Sequence, residues 1–324
     1  MSAATVAAAA WLFDLGEVTG DPIFAARGEL GRIWRVDTDR GSWAVKEPLV
    51  PAFERDAATD VRFQLTAHAA GIPLPLPRLT RDQRVLLPAD QAATAFGVRV
   101  YHWVDLAPGE LVTAAEIGTV AARLHQFDQA GDPGEADAWF TEPLGEHGWA
   151  AVVDAARRGE ADWAPALERW LPELIALDSV ITPPDAGLVR ICHRDLNLEN
   201  VRRRAADGGG VVVLDWENSG PAQPERELAT VICDLAADLS PAAARDCYQA
   251  YLAAGGPGRL RATTDFAMAA AVQGHLLEFY NRRALDPDET PENKARSRAR
   301  LAHLLRQPIT LDRVHGLLEL LGES

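Results

Sequence analysis

Apolar and polar positions alternate over short runs between Pro22 and Tyr101, and beyond Tyr101 they recur at helical spacing. The first part reads as antiparallel strands: I-F-A-A-R-G, G-R-I-W-R-V-D-T and, after the turn D-R-G-S, W-A-V-K-E-P. Residues Ala52 to Ala70 carry the apolar spacing of a helix that stops at Gly71, because I-P-L-P-L-P-R-L cannot continue it. Two further strands, R-V-L-L-P and F-G-V-R-V-Y, complete a small sheet with one helix against it. Ahead of them, M-S-A-A-T-V-A-A-A-A-W-L-F-D-L-G-E-V is Ala-rich, but no Lys or Arg precedes the run and acids follow it, so it reads as a lead-in helix rather than a secretory signal.

After Tyr101 the spacing predicts amphipathic helices at about 113–128, 147–158, 164–178, 224–238, 241–254 and, with breaks, 258–323. Only G-L-V-R-I-C-H, E-N-V-R-R-R and G-V-V-V-L-D read as strands there. The expected fold is therefore α+β: a small sheet-based N-lobe over 1–101 and a larger, mainly helical C-lobe over 102–324.

Composition narrows the picture. A chain of 324 residues, 48% hydrophobic and 24% charged, can bury a sizeable core in two lobes. No run is apolar for the eighteen or more residues a membrane span needs, and a cytoplasmic location is expected. Cys192, Cys233 and Cys247 are odd in number and lack C-x-x-C spacing, which argues against a disulfide framework or a thiolate metal site. A net charge of −15 repels phosphate backbones and anionic membranes, so neither nucleic acid nor membrane is an expected partner. The same surface would attract a cationic small molecule, although acidity for solubility alone would look no different.

The candidate chemistry lies in I-C-H-R-D-L-N-L-E-N and V-L-D-W-E-N-S-G. Asp195 follows an apolar strand and opens a short loop that ends at Asn200, an arrangement suited to a base beside a hard-metal ligand. Asp215 closes the strand G-V-V-V-L-D, where its carboxylate could meet the same ion, and two oxygen ligands completed by water and phosphate is a common way to hold Mg²⁺. Lys46 stands inside the apolar strand W-A-V-K-E-P and is one of only two lysines among thirty-two basic residues. A compact ammonium there suits the phosphates of a nucleotide. Taken alone, H-R-D is a common tripeptide and an Asp after a strand is more often a turn or a helix cap; the joint spacing carries the signal.

H-R-D-x-x-x-x-N, the later D-W-E and A-V-K on the third strand resemble the protein-kinase-like superfamily. The ending L-D-W-E-N-S-G-P followed by P-E-R-E-L-A, the helix A-A-R-L-H-Q-F and the succession of helix, Gly71 and I-P-L-P resemble the aminoglycoside phosphotransferase family within it, over residues 24 to 235. The resemblance implies a two-lobed kinase-like fold with its site in the cleft between the lobes. It implies ATP, or GTP, with Mg²⁺, and transfer of the γ-phosphoryl group to a small-molecule hydroxyl. Asp195 would be the catalytic base, and Asn200 and Asp215 the metal ligands. Lys46 would bind ATP phosphates under a turn bearing Gly28 and Gly31, and His102 and Val104 would bond adenine through main chain. The acid partner of Lys46 would be Asp60, with Glu54 as the alternative.

Two departures stand in the loop: Arg194 where this family usually has Gly, and Asn197 where it often has His. Substrate contacts are expected from Asp195, Glu278 and Asp234, with Asp286, Asp288 and Glu289 close by in sequence, and Glu278 is the preferred acid. Trp34 and Trp216 read as packing; Trp103, Trp139 and Trp149 could instead present aromatic faces to a cation or a sugar. The expected substrate is a cationic antibiotic of aminoglycoside type, inactivated by phosphorylation. Other acceptors of the superfamily (peptide, nucleoside or macrolide antibiotics, choline, amino sugars) and a pseudokinase without turnover are the alternatives, and the oligomeric state, monomer or dimer, stays open.

Overall fold

The computed structural model describes residues 1–51, 54–92, 94–127, 137–205 and 209–322, with backbone alone at 54–56. The expected element limits at 52, 128 and 323, and the side chain of Glu54, lie outside the described residues. Two compact units form: residues 1–112 with 198–219, and residues 113–197 with those from 220 onward. These units do not coincide with the division at 101/102 expected from the change of texture.

In the first unit, α1 (Ala3–Leu12) precedes β1 (Ile23–Arg27), β2 (Gly31–Thr38) and β3 (Gly41–Pro48), followed by α2 (Glu54–Ala69), β4 (Pro77–Arg78), α3 (Ala89–Ala92) and β5 (Arg99–His102). The sheet is antiparallel in the order β1-β2-β3-β5-β4. Ser2 caps α1 by accepting the Thr5 N–H at 3.1 Å. Val6, Ala9 and Phe13 of the α1 region cluster with Val36, Trp43, Val45, Val98 and Val100 of the sheet. Because side chains alternate along a strand, a core built on Val45, Val98 and Val100 sends Lys46, Arg99 and Tyr101 to the opposite face.

One expected strand is lost and one gained. R-V-L-L-P yields only the single bridge Leu87 to Val98, and the place beside β5 goes to Pro77 and Arg78 of the Pro-rich segment. An edge position tolerates Pro77, since among the described residues no strand lies beyond it to need its missing N–H.

The second unit begins with α4 (Ala114–His125), α5 (Ala138–Thr141), α6 (Gly145–Arg158), α7 (Ala164–Leu177) and β6 (Arg190–Cys192). The chain then enters the first unit as an antiparallel ribbon, β7 (Val201–Arg203) and β8 (Val211–Val213). It returns as β9 (Gly220–Ala222), an unforeseen strand paired with β6, and continues through α8 (Pro224–Asp238), α9 (Pro241–Ala253), α10 (Ala267–Leu285), α11 (Pro291–Arg306) and α12 (Leu311–Gly322). Thr113 and Glu116 close a capping box at the start of α4. Trp149, Leu167, Leu174, Leu277 and Leu301 join α6, α7, α10 and α11 in one core. No helix among the described residues is long and apolar enough to cross a membrane.

Candidate active site

On the face of the sheet opposite α1, Lys46 and Arg99 stand directly across from each other in the β3–β5 register. Two buried cations side by side demand acids, and three converge on them. Lys46 Nζ lies 2.8 Å from Asp215 Oδ1 and 2.9 Å from Glu217 Oε2. Burial works against the charged lysine, but Asp215 and Glu217 outweigh it and hold the ammonium above its ordinary pKa. Arg99 meets Asp60 of α2 through both terminal nitrogens, at 2.6 and 3.0 Å. The expected Lys46–Asp60 pair is therefore replaced: the short carboxylate of Asp60 matches the planar fork of Arg99, and Lys46 takes the acids that follow β8.

Asp215 and Asn200 come together through the ribbon. Val201 pairs with Val213, and Leu214 N–H donates to Asn200 O at 2.7 Å, so the two expected metal ligands occupy the same end of β7 and β8. Asp215 has a left-handed backbone, φ 54°, which Asp tolerates better than most residues. The turn behind it is anchored by Trp216, whose Nε1–H donates to Val213 O at 3.0 Å and whose ring meets Phe63 of α2 edge-on. A carboxylate and a carboxamide at one ribbon end form a hard oxygen donor set that fits a divalent cation.

In the second unit, Asp195 is half-buried and its Oδ1 accepts a 2.9 Å hydrogen bond from the Asn197 amide. The Asn that replaces the family's His thus orients the carboxylate. Arg194 just before it has φ 64°, a conformation natural to the Gly usually found there. The arginine is accommodated by lying 4.0 Å over the Phe140 ring and against Gly220, where a Cβ would fall within 2.5–3.0 Å of the guanidinium. Its N–H donates to Glu227 Oε1, and the other oxygen of Glu227 lies 2.6 Å from His125 Nε2. His125 Nδ1 is in turn 2.9 Å from Tyr251 Oη. Burial would raise the Glu227 carboxyl, yet the bond to His125, the charges of His125 and His193 and the Arg194 N–H hold it below its ordinary value. Cys192, His125 and Glu227 place donor atoms within 4.8 Å of one another, but both His125 nitrogens are already engaged, so the group is a hydrogen-bond network that braces the loop.

The remaining expected residues fall as follows. Gly28 N–H donates to Gly31 O at 2.9 Å and closes the β1–β2 turn, and a Cβ on Gly31 would stand 2.9 Å from Lys46 Cε. The His102 N–H is taken by Leu76 O at 2.8 Å, while Val104 follows the end of β5. Glu278 on α10 pairs with Arg282 one turn away at 3.2 Å, and Asp234 is half-buried on α8. Glu289 pairs with Arg283 and accepts from the Thr290 N–H and the Asn293 amide, a structural use of one of the late acids. Trp149 is core, with Nε1–H on Asp178, whereas Trp139 stacks on His275 at 5.4 Å. Arg99 and the roles of Glu217 and Glu227 were not foreseen. A charged residue between Val98 and Val100 was the available signal for Arg99, and the two acids sit inside D-W-E and P-E-R-E-L-A.

Residues 23–263 match the profile of the phosphotransferase enzyme family. No curated protein matches the sequence at a significant level. Among solved structures, a spectinomycin phosphotransferase in complex with ADP and spectinomycin superposes with a TM-score of 0.60 at 14% identity, covering 94% of each chain. An aminoglycoside phosphotransferase from Alicyclobacillus acidocaldarius gives 0.60 at 15% identity over 97% of this chain and 96% of its own. An amicoumacin kinase in complex with AMP-PNP, Ca²⁺ and its antibiotic gives 0.57 at 15% identity over 96% of both. The fold is thus shared with protein-kinase-like phosphotransferases.

Proposed function

The chain belongs to the phosphotransferase enzyme family, and from that premise we propose that it transfers the γ-phosphoryl group of ATP to a hydroxyl of a small molecule, with Mg²⁺ as cofactor. The observation that carries this reading is the meeting of Lys46 with Asp215 at the ribbon end that also bears Asn200. It unites a phosphate-binding cation with two hard-metal ligands.

Asp195, steadied by Asn197, accepts the proton of the attacking hydroxyl. Lys46 binds the nucleotide phosphates beneath Gly28 and Gly31, and the adenine bonds to main chain at His102 and Val104. Asn200 and Asp215 would hold the divalent ion, which when bound would supply positive charge to the phosphates. Phosphoryl transfer has a loose transition state, so the protein's contribution is positioning and electrostatics more than covalent chemistry. GTP offers the same phosphates, but guanine reverses adenine's donor and acceptor pattern at positions 6 and 1, so it would need main-chain contacts other than those proposed for adenine.

For the acceptor we propose a cationic antibiotic of aminoglycoside type, bound near Asp195, Glu278 and Asp234 by a protein that works in the cytoplasm. The net charge of −15 supports it, as do neighbours crystallised with spectinomycin and amicoumacin. The test is an ATP-to-ADP coupled assay with Mg²⁺ against aminoglycosides, peptide and nucleoside antibiotics, macrolides, choline and amino sugars, with Asp195→Ala as the blank. Turnover on an aminoglycoside, absent in the blank, is the expected result. Turnover confined to another class would move the acceptor there, and full activity in the blank would remove Asp195 from its role.

A further inference from the structure

Glu217 is the third residue of D-W-E, and it serves two cations with two different oxygens. Its Oε2 lies 2.9 Å from Lys46 Nζ, while its Oε1 lies 3.3 Å from Arg99 Nη1 and 3.4 Å from the Tyr101 hydroxyl. Asp60, the α2 acid in the position from which the family pattern would pair Lys46, is bound bidentately by Arg99 and lies almost wholly out of solvent. The register explains the exchange: Arg99 faces Lys46 across β3 and β5, so both cations project to the same face and compete for the same acids. The fork takes the acid of α2 and the point charge takes those that follow β8. Between Asp215 and Glu217, Trp216 is pinned to Val213 O and Phe63, so both carboxylates reach Lys46 from one anchored turn.

We propose that Glu217 is the positioning residue of the nucleotide-binding lysine in this enzyme, and that Asp60 and Arg99 form a separate tie between α2 and β5 that holds Glu217 in place. The proposal rests on the nucleotide-site reading above. Asp215 has a second duty as a metal ligand, whereas Glu217 keeps Lys46 aimed irrespective of it. Helix α2 then acts on the lysine indirectly, through Arg99 and Glu217 and through Phe63 packed on Trp216 of the same turn.

The test is a double-mutant cycle of Glu217→Gln and Lys46→Met, read as ATP affinity by titration calorimetry in the presence of Mg²⁺. Loss of a buried, charge-assisted partner predicts that Glu217→Gln weakens ATP binding about tenfold or more in the wild-type background, and has little further effect once Lys46 is Met. An equal loss in both backgrounds, or none in either, would overturn the proposal. A second readout needs no nucleotide. With ¹⁵N-lysine labelling the protein carries two ammonium groups, those of Lys46 and Lys294, so the Lys294 signal is an internal reference. Glu217→Gln should shift the Lys46 ammonium resonance or hasten its exchange while leaving Lys294 unmoved; an unchanged Lys46 signal would overturn the tie. Wild-type protein that fails to bind ATP would instead overturn the nucleotide reading, and the ammonium spectrum would still decide whether Glu217 holds Lys46.

Discussion

At the scale of single residues, position 31 should separate the proposed nucleotide binding from folding. A Cβ there meets only the flexible end of Lys46 and ordinary contacts, so Gly31→Ala should keep the melting temperature and displace the lysine. The expected outcome is weaker ATP binding by calorimetry with an unchanged thermal transition. Asp195→Asn should cut kcat about 10²- to 10⁴-fold with ATP affinity preserved, measured by steady-state kinetics and calorimetry together. The residues proposed for catalysis, Lys46, Asp195, Asn200 and Asp215, were legible as candidates because they stand in sequence motifs with fixed spacing. The lysine's counter-ion was not, since it depends on which cation faces it across two strands, and register is a property of the folded sheet. Arg99 could be read as out of place between two valines, but not as a rival for Asp60.

At the scale of elements, α4 crosses α9 at Gly118, where a Cβ would lie 2.1 Å from Cys247 O. Neither backbone can yield cheaply, so Gly118→Ala should cost about 1–3 kcal/mol of unfolding free energy in a urea titration. Helices α4, α8 and α9 also converge on Glu227 through His125 and Tyr251, and this network holds the backbone before Asp195. Because the folded-state pKa of Glu227 is depressed, its contribution is complete above the ordinary value of 4.5 and is lost as pH falls below that value. Wild type should therefore exceed Glu227→Gln in urea midpoint at neutral pH, with the gap closing in acid. Helices were the legible elements, since long periodic runs fix them: α6, α7, α8 and α9 agree with their expected limits within two residues, whereas the run expected from 258 becomes α-helix only at Ala267 and the four-residue α3 and α5 were not foreseen. The β4 and β9 strands contain Pro77 and Pro221 and span two or three residues, too few to show an alternation; only their partners make them strands.

At the scale of the whole molecule, all three cysteines lie in the second unit and are buried. Burial raises each thiol above its ordinary value, so native protein at neutral pH should resist thiol reagents. Their labelling along a urea series then reports opening of that unit alone. The first unit is completed by residues 198–219, whose two ends continue into the second, so loss of the second should release the first. Labelling and circular dichroism are expected to share one midpoint; earlier labelling would show that the units open separately. The same interleaving sets an order for biosynthesis. Once the ribosome has released residues 1–112, the sheet can assemble with Lys46 and Arg99 on one face, but Asp215 and Glu217 have not yet been translated. Until more than a hundred further residues emerge, the nascent sheet carries a lysine whose counter-ions do not yet exist. The charge-paired face is thus completed late in translation, long after its lysine has been made.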